Sequence, residues 1–310
     1  MLLSLLKHIA QEHNELTIMV HRNADMDSVT SAFAIKHVLE DMGTRVSIVK
    51  QDKLNLPAQL FVEEYNVNIE DEGKEPVIVV DGASPEMFPK AKDKNIILII
   101  DHHQPHTTNL TAPHTIINSE AVATAEIIAT ELLPHLTDEK VAEALALGII
   151  SDTARFKNAT ARTFNLVSQL MKKTSKDYRT LLRAAFPNPG VNEKINVLES
   201  IKNAHVMVIN EKVVVIAEAP NFLESEVSGK LSEMADIVFA ISYRQEEART
   251  RVSGRVSIHT EFEMHRFLRQ VAERVGGSGG GHIKAAGAFL PIPLERAKQL
   301  IVEELKKVLS

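Results

Sequence analysis

Four short runs of aspartate and histidine carry the residue types from which chemistry could be built: His21-Arg22-Asn23-Ala24-Asp25-Met26-Asp27, Asp81, Asp101-His102-His103 and Asp152. Each has a plain alternative. Asp27 precedes a helical pattern and reads equally well as an N-cap, and His21 as a loop histidine. Asp81 before Gly82 and Asp152 before Thr153 fit turn or cap positions. Asp101-His102-His103 resists that treatment, because a carboxylate followed by two imidazoles serves neither solvation nor capping. Adjacent residues leaving a strand point in different directions, so only some of these three can face one metal ion. The others are left to orient ligands or to meet substrate. Pro105 then stiffens the exit. The chain has no cysteine, so any cation must be held by carboxylate oxygen and imidazole nitrogen.

These runs follow a pattern of elements that would bring them together. Leu16–Val20, Arg45–Lys50, Pro76–Val80 and Asn95–Ile100 are short, apolar and rich in Ile and Val. Ser28–Asp41, Ala123–Leu133, Asp138–Ser151 and Thr160–Lys172 have helical length and spacing. Strands apolar on both faces and separated by helices predict a parallel sheet covered on both sides. Three of the predicted strands end in an aspartate-bearing loop, and two of those loops also carry histidine. The carboxyl edge of a parallel sheet is where such side chains converge. Carboxylates crowded there repel one another, and divalent metal ions relieve the crowding. A mixed oxygen and imidazole set suits Mn2+ first, with Mg2+ or Co2+ as alternatives. A pair of such ions serves in-line hydrolysis at phosphorus.

The pattern changes after Phe186-Pro187-Asn188-Pro189-Gly190, a helix-ending break. Residues 1–186 read as a catalytic α/β domain, 187–203 as a linker with a helix near Val191–Asn203, and 204–310 as a smaller mixed domain. In that second domain His205–Ile209 and Val213–Ala217 are joined by Asn210-Glu211-Lys212 as a hairpin candidate. Ile237–Tyr243, Arg251–Ile258 and Ala285–Leu290 are further strand-like runs, with helices at Glu261–Val275 and Leu294–Leu309. The glycine-rich stretch 276–281, ending in His282, is a flexible loop on the bland reading. On the specific reading it is a backbone nest for an anion, with His282 as donor and Arg251, Arg255 and Lys284 nearby.

Composition narrows the class. The chain has 310 residues, 44% of them apolar and 25% charged, with a net charge of -6. That balance is globular and acidic, and does not favour long duplex nucleic acid. The apolar start carries Lys7, His8, Glu12 and Glu15, so it reads as an amphipathic helix and not as a signal peptide. No apolar run is long enough for a membrane span. The expected setting is cytoplasmic.

Taken in order, the four runs resemble the four motifs of the DHH phosphoesterase superfamily, and Gly279-Gly280-Gly281-His282 with Ala285-Ala286-Gly287 resembles the DHHA1 signature. The chain most resembles the nanoRNase and 3'-phosphoadenosine 5'-phosphate phosphatase group, over essentially its whole length. The resemblance implies that His21, Asp25 and Asp81 hold one metal ion. Asp27, Asp81, His102 and Asp152 would hold a second, with Asp81 bridging and Asp101 supporting the site from behind. His103 would contact the reacting phosphate. Arg255, Gly280, Gly281 and His282 would bind a terminal phosphate, and Arg155 is a further phosphate candidate. The cleft between domains would receive substrate, and a homodimer through the catalytic domain is implied. Stretch 276–281 is richer in glycine than the usual family turn. Ala123-Thr124 stands where the family often has Ser-Thr, which predicts one missing hydroxyl contact.

The implied function is hydrolysis of short oligoribonucleotides to nucleoside monophosphates, with 3'-phosphoadenosine 5'-phosphate as a second substrate. Two alternatives are a single-strand-specific exonuclease on longer strands and a phosphodiesterase on linear or cyclic dinucleotides. The exonuclease needs a basic groove with aromatics for stacking, whereas aromatics make up only 5% of the chain and tryptophan is absent. A catalytically silent nucleotide-binding protein is the contrasting class. It should have lost a metal-binding residue, and none of the set is missing.

Overall fold

The computed structural model describes residues 2–103 and 110–309. Pro105 lies outside the described residues. Two compact units divide the chain, Met1–Asn188 and Pro189–Ser310.

The first unit runs α1 (Leu2–Glu12), β1 (Glu15–Met19), α2 (Met26–Asp41), β2 (Arg45–Val49), α3 (Leu56–Glu64), β3 (Ile69–Glu70), β4 (Val77–Val80), β5 (Ile96–Asp101), β6 (His114–Ile117), α4 (Thr124–Leu132), α5 (Glu139–Asp152), α6 (Ala161–Met171) and α7 (Tyr178–Ala185). Its strands are ordered β3-β2-β1-β4-β5-β6, and every pairing is parallel. Alternation along the strands sorts their side chains onto two faces. Leu16, Ile18, Val46, Ile48, Ile78, Val80, Leu98 and Ile100 join the large core with the helices. Met19, Val49, Val77, Val79 and Ile99 point the other way, where the 3-10 turn Pro89–Ala91, Ala83 and Phe88 cover them more thinly. The helices begin where polar side chains can cap them. Asp25 accepts from the amide of Ser28, Asn55 from Ala58, Asp138 from Lys140 and Val141, and Thr160 and Thr163 cap one another.

The strand order reverses between β1 and β4. In an open parallel sheet the crevice outside the carboxyl ends at that point is left uncovered by the connections. His21 and Asp25 follow β1, Asp81 follows β4, and Asp101 closes β5. The topology thus delivers the acidic and histidine runs to one place.

The second unit comprises α8 (Val191–Lys202), β7 (His205–Ile209), β8 (Lys212–Glu218), α9 (Glu224–Leu231), β9 (Ile237–Arg244), β10 (Arg249–Val256), α10 (Met264–Glu273), β11 (Ser278–Gly281), β12 (Ala285–Leu290) and α11 (Leu294–Leu309). Its sheet is ordered β11-β12-β10-β9-β8-β7, antiparallel except for the β8–β9 pair. The hairpin at Asn210 and Glu211 forms as the sequence indicates, with both residues at positive φ. The glycine stretch departs from both sequence readings. Ser278–Gly281 is an edge strand paired with β12, and neither a loop nor a nest. A Cβ on Gly279 would strike the Leu268 carbonyl of α10, and one on Gly281 would strike Ala285 and Ala286. The glycines let the strand lie close against its neighbours.

Phe88 is fully buried and is the largest side chain covering the thin face of the first sheet. Phe88→Ala should lower the unfolding free energy by about 3–5 kcal/mol, measured by urea denaturation with an unchanged m-value.

Candidate metal centre

Asp81 sits where β4 ends, with φ at +64°, a backbone state that L-residues rarely adopt. That turn aims its carboxylate into the crevice, 3% exposed. Its two oxygens face different histidines. Oδ2 lies 3.4 Å from His21 Nε2, and Oδ1 lies 3.6 Å from His102 Nε2. His21 Nε2 is also 3.7 Å from Asp25, and His102 Nε2 is 3.3 Å from Asp152. Donor atoms within 4.8 Å of one another form three groups: His21, Asp25 and Asp81; Asp27, His102 and Asp152; and Asp81, His102 and His103.

Both histidines are oriented through their far nitrogens. The Nδ1 of His21 donates to the Arg22 carbonyl at 2.8 Å, and that of His102 to the Ala121 carbonyl at 3.3 Å. This arrangement turns each Nε2 lone pair toward the carboxylates, as a metal ligand requires. Asp101 plays the same part for His103. Its Oδ1 accepts from the His103 Nδ1 at 2.8 Å and from its backbone amide at 3.0 Å. Burial lowers the pKa of His103, but Asp101, Asp81 and Asp152 outweigh burial and lift it to about 9.

The electrostatics fit a cation. Burial and the neighbouring Asp81 and Asp152 raise the Asp27 carboxyl well above its ordinary range. Burial, Asp25 and Asp81 raise Asp152 in the same way. Asp81 is pushed up by burial, yet His21, His102 and His103 hold it well below the usual range. Asp152 is also the last residue of α5, and a carboxylate is disfavoured at the negative end of a helix dipole. Acids kept in so costly an arrangement, beside oriented imidazoles, match the donor chemistry of divalent metal ions.

Two supports escape a reading of the sequence. Ala123 leaves α4 with no side chain to cap it, and the Asp27 carboxylate of α2 takes that role. It accepts from the Thr124 amide at 2.7 Å and the Ala125 amide at 2.9 Å. The Thr124 hydroxyl donates to Asp81 at 2.9 Å, so this hydroxyl contact is present and only the one at Ala123 is absent. Gly148 of α5 is the second support. A Cβ there would meet Thr30 Oγ1 at 2.5 Å and Asp27 Oδ1 at 2.9 Å, so only glycine lets α5 pack against α2 at this point. The pairing Ala123-Thr124 gave a weak signal for the first support, and nothing local announces the second.

The remaining sequence candidates lie elsewhere. Arg155 is exposed, stacks over the Phe186 ring at 4.0 Å, and belongs to none of the metal-holding groups. Gly280 and Gly281 are in β11, and His282 is exposed in the turn to β12, its amide donating to the Ala285 carbonyl at 2.7 Å. Arg255 lies on β10 opposite Ala285. Burial draws its guanidinium pKa down against the pull of Glu226, and no hydrogen bond or ion pair engages it among the described residues.

Paired imidazole–carboxylate groups at the crevice of a parallel sheet define a metal-dependent phosphoesterase. Two family models match the chain. One, described as the DHH family, N-terminal domain, covers residues 15–149, and the DHHA1 domain covers residues 210–310. The chain belongs to the DHH–DHHA1 phosphoesterase superfamily. An uncharacterized protein of Methanocaldococcus jannaschii is 27% identical over 95% of this chain and 92% of its own length. A cyclic-di-AMP phosphodiesterase of Geobacillus thermodenitrificans is 25% identical over 97% of this chain and 48% of its own. A manganese-dependent inorganic pyrophosphatase of Methanocaldococcus jannaschii is 26% identical over 50% of this chain and 53% of its own. The chain thus spans about half the length of these two relatives with a stated activity. A solved exopolyphosphatase-related protein from Bacteroides fragilis shares the fold, with a TM-score of 0.83, 15% identity, and coverage of 99% of this chain and 96% of that one. No helix of the described residues is long and apolar enough to cross a membrane.

The division of the Asp81 oxygens predicts that Asp81→Asn lowers metal content at both positions, whereas His103→Ala leaves it near the wild-type level. Metal quantitation after dialysis reads both, and full two-metal occupancy in Asp81→Asn would overturn the shared role. Gly148→Ala should displace Asp27 and cost stability of about 1–3 kcal/mol, together with loss of activity. A variant of wild-type stability and rate would show that α5 can move away.

Proposed function

We propose that this protein hydrolyses phosphodiester bonds in dinucleotides, linear or cyclic, and by the same chemistry in very short oligoribonucleotides and the phosphomonoester of 3'-phosphoadenosine 5'-phosphate. One observation carries the choice of dinucleotides. The relative named a cyclic-di-AMP phosphodiesterase aligns with 97% of this chain, and the pyrophosphatase with only 50%. Similarity along nearly the whole chain favours a dinucleotide over pyrophosphate.

In this reading His21, Asp25 and Asp81 hold one divalent cation, and Asp27, Asp81, His102 and Asp152 hold the other, with Mn2+ preferred over Mg2+ or Co2+. Bound ions would supply charge neutralisation at the phosphoryl oxygens and a lowered pKa for the attacking water. The residues of the chain do the rest. Asp101 fixes the His103 ring through Nδ1, and Nε2 would donate to a phosphate oxygen of the substrate. Thr124 and the amides of α4 keep the Asp81 and Asp27 carboxylates from swinging as substrate enters. In the second unit Arg255, with no ion pair of its own, meets a second phosphate together with His282 and the backbone of Gly280 and Gly281. Arg155 is held more loosely as a further contact. A homodimer through the first unit completes the reading, and the exposed edge strand β6 offers a place for it.

The test is a panel of substrates with added Mn2+: a linear dinucleotide, a cyclic dinucleotide, 3'-phosphoadenosine 5'-phosphate, pyrophosphate and a small activated phosphodiester. Mononucleotide release from the dinucleotides should have the highest kcat/KM and should vanish with chelator. Faster hydrolysis of pyrophosphate would overturn the assignment. His282→Ala should lower kcat/KM roughly 10- to 150-fold on substrates with a second phosphate, and far less on the small diester. Equal losses on both would place His282 in the catalytic centre or in folding.

A further inference from the structure

The segment Thr153–Phe186 has a composition unlike the rest of the chain. It holds eight Lys and Arg residues and a single acid, Asp177, in a protein whose net charge is -6. Four aromatic residues fall within it, Phe156, Phe164, Tyr178 and Phe186, although aromatics are sparse elsewhere. The fold gathers three of them. Phe156 stacks on Tyr178 with ring centroids 5.5 Å apart, and Phe164 leans on Phe156 at 5.1 Å. Together with Val167, Met171 and Lys172 they line an open groove of about 360 Å³ beside α6 and α7.

Core packing accounts for part of this groove, since Val167 belongs to the core and Phe156, Met171 and Tyr178 pack against it, but not for Phe164. Helix α6 already buries Thr163, Leu166, Val167 and Leu170 against the first unit. Phe164 lies outside that stripe and remains 52% exposed. Phe164 extends the apolar face of α6 beyond what the core covers, and an exposed phenylalanine there offers a contact surface to a ligand. Phe156 is brought there by an unusual turn, since Ala154, Arg155 and Phe156 all have positive φ. The amide of Phe156 is tied to the Thr153 hydroxyl at 3.1 Å, which holds the turn. The same turn leaves Asp152, four residues earlier, so the two Cα atoms lie no more than about 14 Å apart.

Lys172 lines the groove and has no ion pair among the described residues, and Arg179 and Arg183 of α7 add positive charge to the same segment. An acidic or purely apolar partner would leave half of this arrangement unused. Planar rings with cations beside them match a strand whose bases stack and whose phosphates are anionic.

We infer that the α6–α7 groove is a stacking site for the bases of a single-stranded oligonucleotide, whose phosphates are met by Lys172. The inference rests on the proposed phosphodiesterase function and extends it to strands longer than a dinucleotide. Such a strand occupies the metal centre at one end and the groove with the nucleotides that follow.

The experiment uses the full-length protein and single-stranded RNA of roughly eight nucleotides, within the range of such binding sites. Affinity is read by fluorescence anisotropy in the presence of chelator, so that no hydrolysis intervenes. Phe164→Ala, at an exposed position, should weaken binding roughly 5- to 150-fold, the span seen when a stacked aromatic is removed. Lys172→Gln should weaken it too, and should reduce the slope of log affinity against log salt by about 0.7. Both variants should keep the wild-type kcat/KM on the small activated diester with Mn2+. Unchanged oligonucleotide affinity in both variants overturns the inference, as does an equal loss on the small diester. A changed mass by light scattering with unchanged affinity also overturns it, because the groove is then a contact between copies of the chain. Failure of the wild type to cleave any dinucleotide would sink the proposed function alone, since anisotropy reads the groove without catalysis.

Discussion

Mutual repulsion among the carboxylates of Asp25, Asp27, Asp81 and Asp152 governs the first unit. Burial and neighbouring carboxylates raise Asp27 and Asp152, and the crowding would open the sheet edge unless opposed. The structure opposes them with positive ends of dipoles and oriented imidazoles. The start of α4 donates two amides to Asp27 and a hydroxyl to Asp81. His21 and His102 turn their Nε2 atoms inward because backbone carbonyls hold the other side of each ring. What these supports leave uncompensated is the part a pair of divalent cations would neutralise.

The sheet makes that gathering possible at low cost to the rest of the fold. Because β1 and β4 are neighbours whose connections leave in opposite directions, a crevice opens outside their carboxyl ends. The central strands are largely apolar on both faces, and the carboxylates of the site gather at their carboxyl ends. Asp81, with its left-handed φ, marks one such end. Close packing of α5 on α2 then sets how near Asp152 can come to Asp27, and Gly148 at their contact fixes that spacing.

Much of this was legible in the sequence, and the limits have physical reasons. The Ile- and Val-rich strands and the aspartates at their ends showed because both signals are local. The hairpin around Asn210 and Glu211 showed for the same reason, although Lys212, read as part of the connection, is already in β8. Short elements with few buried residues did not. Helix α7 has only two buried residues, and β6 is exposed along nearly its whole length. Strand β11 is mostly glycine, and its pairing depends on β12 rather than on any propensity of its own. The contacts of Thr124 with Asp81 and of Gly148 with Asp27 join residues far apart in the chain, so no spacing rule could expose them. The low aromatic content argued against base stacking, whereas the fold concentrates three rings in one groove.

The ligand aspartates differ in what they do for the fold itself. Asp27 ties α4 to α2, so its removal would leave two helix amides without a partner. Asp152 receives no backbone amide among the described residues and stands at the unfavourable end of α5. Its loss would relieve the helix and, on the proposed function, remove a metal ligand. Stability and activity are therefore in conflict at one ligand and aligned at another. A lineage of this chain released from selection for hydrolysis would be expected to shed Asp152 early and to keep Asp27 long after the chemistry had gone.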